Sequence, residues 1–428
     1  MKILVVGSGG REHALCWSLA KTPDSTHTVY CAPGNDGIAQ VARTVALGAT
    51  DVKGLARFAE DERVDLTVVG GEASLAAGLA DEFSARGLAV AGPNAKAAQL
   101  ESSKAFAKDF MSRHAVPTAR HRVAESAGEA RAILRGGEFG SEDSPVVVKA
   151  DGLAAGKGVA VARDRAEAEA AISELMEQGR VGGEAARRVV IEEALAGCEA
   201  SLLFWTDGRD YLLMPPARDH KRVGEGDTGA NTGGMGAITS PDVLDAATHA
   251  RCVREIVEPT LAGLDADRLD FRGIVFIGLM LTPDGARVLE YNVRFGDPEA
   301  QAILVRLRSD PAAIFDAVAR GRLRDARADW TDEASACVVL ASRGYPERPE
   351  TGDRIEGLDA AASDPRVRIF HAGTKRDADG AWRTAGGRVL GLTSTGATLD
   401  VALARCYQTA SRISWDGMHY RRDIGKFL

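Results

Sequence analysis

The segment VLEYNVRFGDPE at 288–299 carries the densest chemistry in the chain. Side chains alternate between the two faces of a strand, so Glu290, Asn292 and Arg294 should project together. A carboxylate and an amide oxygen are the hard donors that magnesium takes, and magnesium usually keeps substrate phosphates in its shell. Glu290 and Asn292 are therefore expected to hold the metal, with Arg294 neutralising a carboxylate or phosphate beside them. A bare Glu-x-Asn is common by chance; the continuation RFGDPE makes it specific.

A second constellation is VVVKADGLAAGKG at 146–158. Lys149 closes a strand and precedes a glycine and alanine loop with a second lysine, Lys157. Small side chains let loop amides close over a triphosphate while Lys149 supplies a fixed charge. Gly158 follows Lys157, so this is no Walker A loop; the bland alternative is a surface turn with solvated lysines. At 191–195, IEEAL ends an apolar strand. An adenine edge could bond the backbone of Glu193, Ala194 and Leu195, and a carboxylate a few residues on could take the ribose hydroxyls. Taken alone, paired glutamates read more readily as a solvated strand end.

GSGGRE at 7–12 follows a strand and opens a helix, where backbone amides and the helix dipole can hold an anion, or simply form a tight turn. A dinucleotide fold would want glycine in place of Glu12 and an acidic residue near 30–32, and neither is present. The stretch 219–236 joins DHKR to DTGANTGGMG and holds six glycines. It reads as a functional loop able to close over a substrate, without regular structure. His220 as a base or metal ligand is the lesser alternative.

These segments need a frame. Apolar runs at 3–6, 29–32, 66–69 and 90–92 alternate with helical stretches at 12–21, 52–62 and 73–86, the pattern of a parallel sheet covered by helices. This defines an N-terminal α/β domain over 1–103. A helical pattern follows at 96–114. Within a second domain, 104–330, short strands and an alanine-rich helix make a small α+β lid subdomain at 117–196. Longer alternating strands at 200–206, 209–214, 273–282 and 286–292 predict a larger antiparallel sheet. A C-terminal mixed α/β domain, 331–428, ends in a helix at 399–413.

The length of 428 residues suits about three such units. With 45% apolar and 27% charged residues the chain should fold throughout. A net charge of −8 argues against nucleic-acid partners, and no apolar run approaches the roughly 20 residues of a membrane span. Six scattered cysteines show neither zinc spacing nor a disulfide framework. With no signal-peptide pattern at the N-terminus, a cytoplasmic protein working as a monomer is expected.

In this order and spacing, GSGGREH, APGN at 32–35, SKAF at 103–106, VVVKADGLAAGKGV, DHKR, DTGANTGGMGA, EYNVRFGDPE, FHAGTK at 370–375 and GGRVL at 386–390 resemble the ATP-grasp ligases. The narrower resemblance, nearly end to end, is to the phosphoribosylamine–glycine ligase family. It implies an ATP-grasp fold and ATP-dependent ligation of glycine to 5-phosphoribosylamine through glycyl phosphate, with Mg2+, or Mn2+, as cofactor. It implies that Lys104, Lys149 and the loop with Gly152, Gly156, Lys157 and Gly158 contact ATP phosphates. Glu192, Glu193, Ala194 and Leu195 would take adenine and Glu199 the ribose. Gly9, Gly10, Glu12 and Glu72 would hold the phosphoribosylamine, and Asp219 and Arg294 the two ends of glycine. The chain departs from the family pattern at Gly71, Ser74 and Ala230, which bears on loop rigidity. A different ATP-grasp ligase and a nucleotide-binding regulatory protein are the alternatives.

Overall fold

The computed structural model describes residues 1–21, 27–154, 158–179, 182 and 187–426. Near its start the strand Lys2–Gly7 is flanked on both sides by apolar neighbours, and Ile3, Leu4, Val5 and Val6 are fully buried. A strand apolar on both faces must be covered on both, which suits a parallel sheet. The sheet is parallel throughout, in the order Arg43–Thr44, Thr28–Pro33, Lys2–Gly7, Leu66–Val69, Val90–Ala91. The chain leaves Lys2–Gly7 for one side and returns to its other side at Leu66–Val69. Such a reversal opens a crevice at the carboxyl ends of the strands, where Gly7–Gly10 and Gly70–Glu72 lie.

A small antiparallel sheet follows, ordered His121–Ala124, Val189–Glu193, Val146–Ala150, Val159–Ala162. Helices Ala127–Arg135 and Arg165–Ile172 cover it, each started by a side-chain cap from Ser126 or Asp164. Val146, Val148, Val189 and Ile191 pack with Leu134, Phe139, Ile172 and Leu175 in a core separate from the rest.

Among the described residues the largest sheet runs Gly285–Asn292, Gly273–Thr282, Cys198–Thr206, Ala217–Asp219, Gly236–Thr239, Ala334–Ala341, Arg388–Gly396, Val367–His371, with Tyr211–Leu213 beside Cys198–Thr206. Its last three strands belong to the C-terminal segment, so one antiparallel sheet crosses the sequence position near 330. The first of them, Ala334–Ala341, pairs with Gly236–Thr239 backbone to backbone, from Gly236 with Val338 to Thr239 with Ser335. No helix among the described residues is long and apolar enough to cross a membrane.

Three stretches differ from the sequence reading. The helical pattern at 73–86 breaks at Gly78, whose φ of 81° is a left-handed conformation, giving helices Glu72–Ala76 and Leu79–Ala85. The pattern at 96–114 breaks at Ser103, whose hydroxyl caps a new helix, Lys104–Arg113, by accepting from Phe106 N. The glycine-rich stretch 219–236 is regular after all: Arg222–Gly224 and Thr228–Asn231 form a hairpin, and Gly236–Thr239 enters the large sheet. Gly226 serves the hairpin turn and Gly229 lies in its second strand, both with positive φ.

Candidate active site

The strand Gly285–Asn292 is the edge of the large sheet. Glu290, Asn292 and Arg294 are partly exposed on one face while Tyr291, Val293 and Phe295 are buried between them. The small sheet reaches this strand through Lys149, whose Nζ donates to Leu289 O at 3.0 Å. Lys149 thus lies beside the strand that carries Glu290, close enough for its charge to act on that carboxylate. Burial works against the Glu290 charge, yet Lys221, Lys149, Lys104 and Arg294 hold its carboxyl below the usual range. A patch so rich in cations is suited to polyphosphate.

Lys104, first residue of its helix, donates to Gly152 O at 2.9 Å. Ser103 Oγ and Ala105 N both donate to Asp151 Oδ1, at 2.8 and 3.1 Å, pinning the start of the loop after Lys149 to that helix. Ala150 N donates to Gly158 O at 2.7 Å across the loop's base. Gly156 and Lys157 lie outside the described residues.

Glu192 points inward rather than toward solvent, with Oε1 3.0 Å from Lys149 Nζ and Oε2 3.0 Å from Lys108 Nζ. The Glu193 amide donates to Arg120 O and its carboxylate accepts from Arg120 N and Nε. The solvated strand end considered above does not describe this pair of glutamates. Ala194 and Leu195 continue from this strand, and Glu199 Oε2 lies 3.0 Å from Lys221 Nζ, which is 3.9 Å from Glu290. Burial opposes the Lys221 charge, but Glu199, Glu290 and Asp219 outweigh it and raise its pKa strongly.

Arg294 joins two domains. Its guanidinium reaches Glu72 Oε2 at 3.1 Å, Glu101 Oε1 at 2.5 Å and Asn292 Oδ1 at 3.0 Å. Although burial disfavours its charge, Arg294 and Arg11 bring the Glu72 pKa down to about 2. Burial pushes Glu101 up against the pull of Arg294. Glu12 turns back on its own loop, accepting from Gly9 N at 2.6 Å and from Arg11 Nε at 2.6 Å. The helix start thus already holds an internal anion, and Gly9 and Gly10 border Asp297, Glu12 and Gln301.

The Glu12 carboxylate fits only because Gly70 lacks a side chain; a Cβ there would come within 2.2 Å of Glu12 Oε1. Gly70→Ala should therefore cost about 1–3 kcal/mol by overpacking, read as a fall in the urea midpoint with an unchanged slope. An unaltered midpoint would show that Glu12 is free to move.

Asp219 Oδ1 is a buried acceptor with no hydrogen-bond partner in the structure. Burial and the neighbouring Glu299 push the Asp219 carboxyl well up, against Lys221 and Arg388. An unpaired buried acceptor is costly, and the ligand that would satisfy it is a cation or a donor. His220 is no base or metal ligand here. Its Nε2 accepts from Gly425 N at 3.0 Å, its Nδ1 faces Gly236 O at 3.3 Å, and burial and Arg421 lower its pKa to about 4. The fully buried Arg421 donates to Arg222 O and to Asp227 Oδ1, and Asp423 accepts from Gly226 N. The hairpin 222–231 is thus held by residues about two hundred positions later.

Three site residues escape the sequence reading: Glu101, Lys108 and Arg388. Arg388 NH2 lies 3.0 Å from Asp297 Oδ2, and its NH1 donates to Gly233 O. Glu101 and Arg388 find their partners only through the tertiary fold. Lys108 had one available signal, its position one helical turn after Lys104 on the same face.

Comparison with known proteins identifies the family and the fold. Models of the phosphoribosylglycinamide synthetase N domain, ATP-grasp (A) domain and C domain match residues 1–101, 102–300 and 335–427. The chain is 48% identical over 428 residues to the phosphoribosylamine–glycine ligase of Xanthomonas axonopodis pv. citri (strain 306), covering 99% of this chain and 97% of that protein. It superposes on the crystal structure of phosphoribosylamine–glycine ligase from Thermotoga maritima with a TM-score of 0.84 at 34% identity, covering 99% of this chain and 100% of the other. The biotin carboxylase domain of Hydrogenobacter thermophilus 2-oxoglutarate carboxylase, solved with MgADP and bicarbonate, shares the fold at 16% identity. Its TM-score is 0.72, over 97% of this chain and 91% of that one.

Proposed function

The chain belongs to the phosphoribosylglycinamide synthetase family and is a carbon–nitrogen ligase of purine biosynthesis, and from this premise we propose how its cleft joins glycine to 5-phosphoribosylamine with conversion of ATP to ADP and phosphate. The observation that carries the reading is the meeting of Lys149 with the strand that bears Glu290. ATP phosphates lie against Lys104, Lys149 and the loop 152–158, adenine against the 192–195 segment and ribose against Glu199. Phosphoribosylamine lies by Gly9, Gly10, Glu12 and Glu72 in the crevice of the parallel sheet.

Glycine's ammonium meets the unpaired oxygen of Asp219, and its carboxylate meets Arg294. The carboxylate oxygen attacks the γ-phosphorus as the bond to the ADP oxygen breaks, and lysines and Arg294 balance the charge on the transferring oxygens. The resulting glycyl phosphate is attacked at its carbonyl carbon by the amine of phosphoribosylamine. A C–N bond forms, the C–O bond to phosphate breaks and the amine loses a proton. Water must be excluded, which gives the 117–196 lid a reason to close.

Among the described residues no group of three or more His, Cys, Asp or Glu could hold a metal ion by itself. The oxygen donors of Glu290 and Asn292 would instead hold a hard cation, with Asn292 Oδ1 also accepting from Arg294. Magnesium, or manganese, held there supplies positive charge to the phosphates. Domain limits of 1–103, 104–330 and 331–428, a monomeric cytoplasmic enzyme, and small-molecule partners without nucleic acid or membrane complete the proposal.

The test is a coupled assay of ADP release with purified protein and magnesium. Sustained ADP release should require both glycine and phosphoribosylamine, because glycyl phosphate formed with glycine alone is not consumed. Brisk turnover with bicarbonate or formate replacing glycine would point to a different ligase of the same fold, and NAD capture without ATP hydrolysis to a regulatory protein.

A further inference from the structure

Two lysines share one carboxylate in the interior behind the cleft. The side chains of Lys108 and Glu192 are each 2% exposed and that of Lys149 6%. Each ammonium is 3.0 Å from a different oxygen of Glu192. Both are also tied to the strand that carries Glu290. Lys149 donates to Leu289 O at 3.0 Å, while Lys108 donates to Thr118 Oγ1 at 2.7 Å, which passes a hydrogen bond on to Val288 O at 2.6 Å. Lys108 lies one turn beyond Lys104 on the same helix, so one element supplies a lysine to the loop and another to its support.

Charges buried this deeply are stable only when compensated. One glutamate facing one lysine is a neutral pair, and a lysine so paired offers little net charge to a phosphate. Two lysines on that glutamate leave one positive charge over, and Lys149, 6% exposed against 2% for Lys108, is the one proposed to meet ATP. We propose that Lys108 is a positioning residue of this ligase: by engaging the second oxygen of Glu192 it orients that carboxylate and leaves the charge of Lys149 available to the phosphates of ATP.

The inference rests on the reading that Lys149 contacts ATP. The groups facing Lys108 are Glu192 and Lys149 of the small sheet, Glu290 of the large sheet and His121. Burial, against the pull of Glu192, lowers the Lys108 pKa to about 8. Burial also lowers the pKa of His121, which is neutral at that pH. Loss of the Lys108 proton should leave Lys149 paired with Glu192 alone, so nucleotide affinity should weaken as pH rises through about 8.

The experiment measures the Kd of Mg-ATP by calorimetry for the full chain, with steady-state kinetics alongside. Lys108→Met should raise the Kd at least tenfold, leave the KM for glycine unchanged and lose the wild-type weakening near pH 8. Lys108→Arg, which keeps a positive charge on the second oxygen of Glu192 at every pH tested, should bind Mg-ATP within threefold of wild type and should not weaken near pH 8. A lysine that serves packing alone would show no such link between its charge and nucleotide affinity. Wild-type affinity in Lys108→Met overturns the proposal. Should that variant fail to fold, a folded Lys108→Arg variant that still weakens near pH 8 overturns it equally. Lys149→Met with wild-type affinity instead removes the ATP reading, and this inference with it.

Discussion

Glu290→Ala should lower kcat/KM by at least a thousandfold, about 4 kcal/mol of transition-state stabilisation, while the protein remains folded. Lys221, Lys149, Lys104 and Arg294 all act on this carboxylate. Its loss removes both the proposed cation ligand and the counter-charge of that group. The side chain is 35% exposed and its nearest ion-pair contact is 3.9 Å away, so stability should change by less than about 1 kcal/mol. ADP release and a thermal melt on the same preparation separate the two effects. Wild-type turnover in this variant would remove Glu290 from the metal site.

Arg294→Met should damage both activity and stability. The Arg294 and Glu101 side chains are 15% and 7% exposed, and breaking a buried pair by removing one partner costs about 3–5 kcal/mol because the other charge is left uncompensated. Turnover should fall at least a thousandfold, since the glycine carboxylate loses its cation. The second substitution Glu101→Gln keeps a side-chain oxygen to accept from Val293 N and removes the stranded charge. Arg294→Met/Glu101→Gln should recover most of the urea midpoint and none of the turnover. Recovery of both would reduce Arg294 to a structural tie between the N-terminal helices and the strand at 285–292.

The parts of this site that were legible in advance obey local rules. Alternation along 290–295 was readable because a strand period is a property of consecutive residues, and the apolar runs of the parallel sheet were readable because burial on both faces excludes polar side chains. The helix breaks at Gly78 and Ser103 also have local causes, a left-handed glycine and a hydroxyl cap, though amphipathic periodicity masked them. Glu101 and Arg388 follow no such rule. Glu101 meets Arg294 from 193 positions away, and nothing in QLES marks it as an arginine partner. The hairpin at 222–231 read as irregular because its glycine content resembles that of a loop, whereas backbone pairing and a distant arginine impose its order.

The anchoring of that hairpin bears on how the polypeptide acquires activity as it is made. Arg421 and Asp227 are 194 positions apart, and His220 and Gly425 are 205 apart. Contacts of such separation form late, because the intervening loop entropy is met before they contribute. On a translating ribosome, the hairpin at 222–231 emerges long before its distant support exists. Nascent chains halted short of Arg421 would carry every residue proposed to meet ATP or glycine, yet lack the side chain that ties Arg222 and Asp227 of that hairpin.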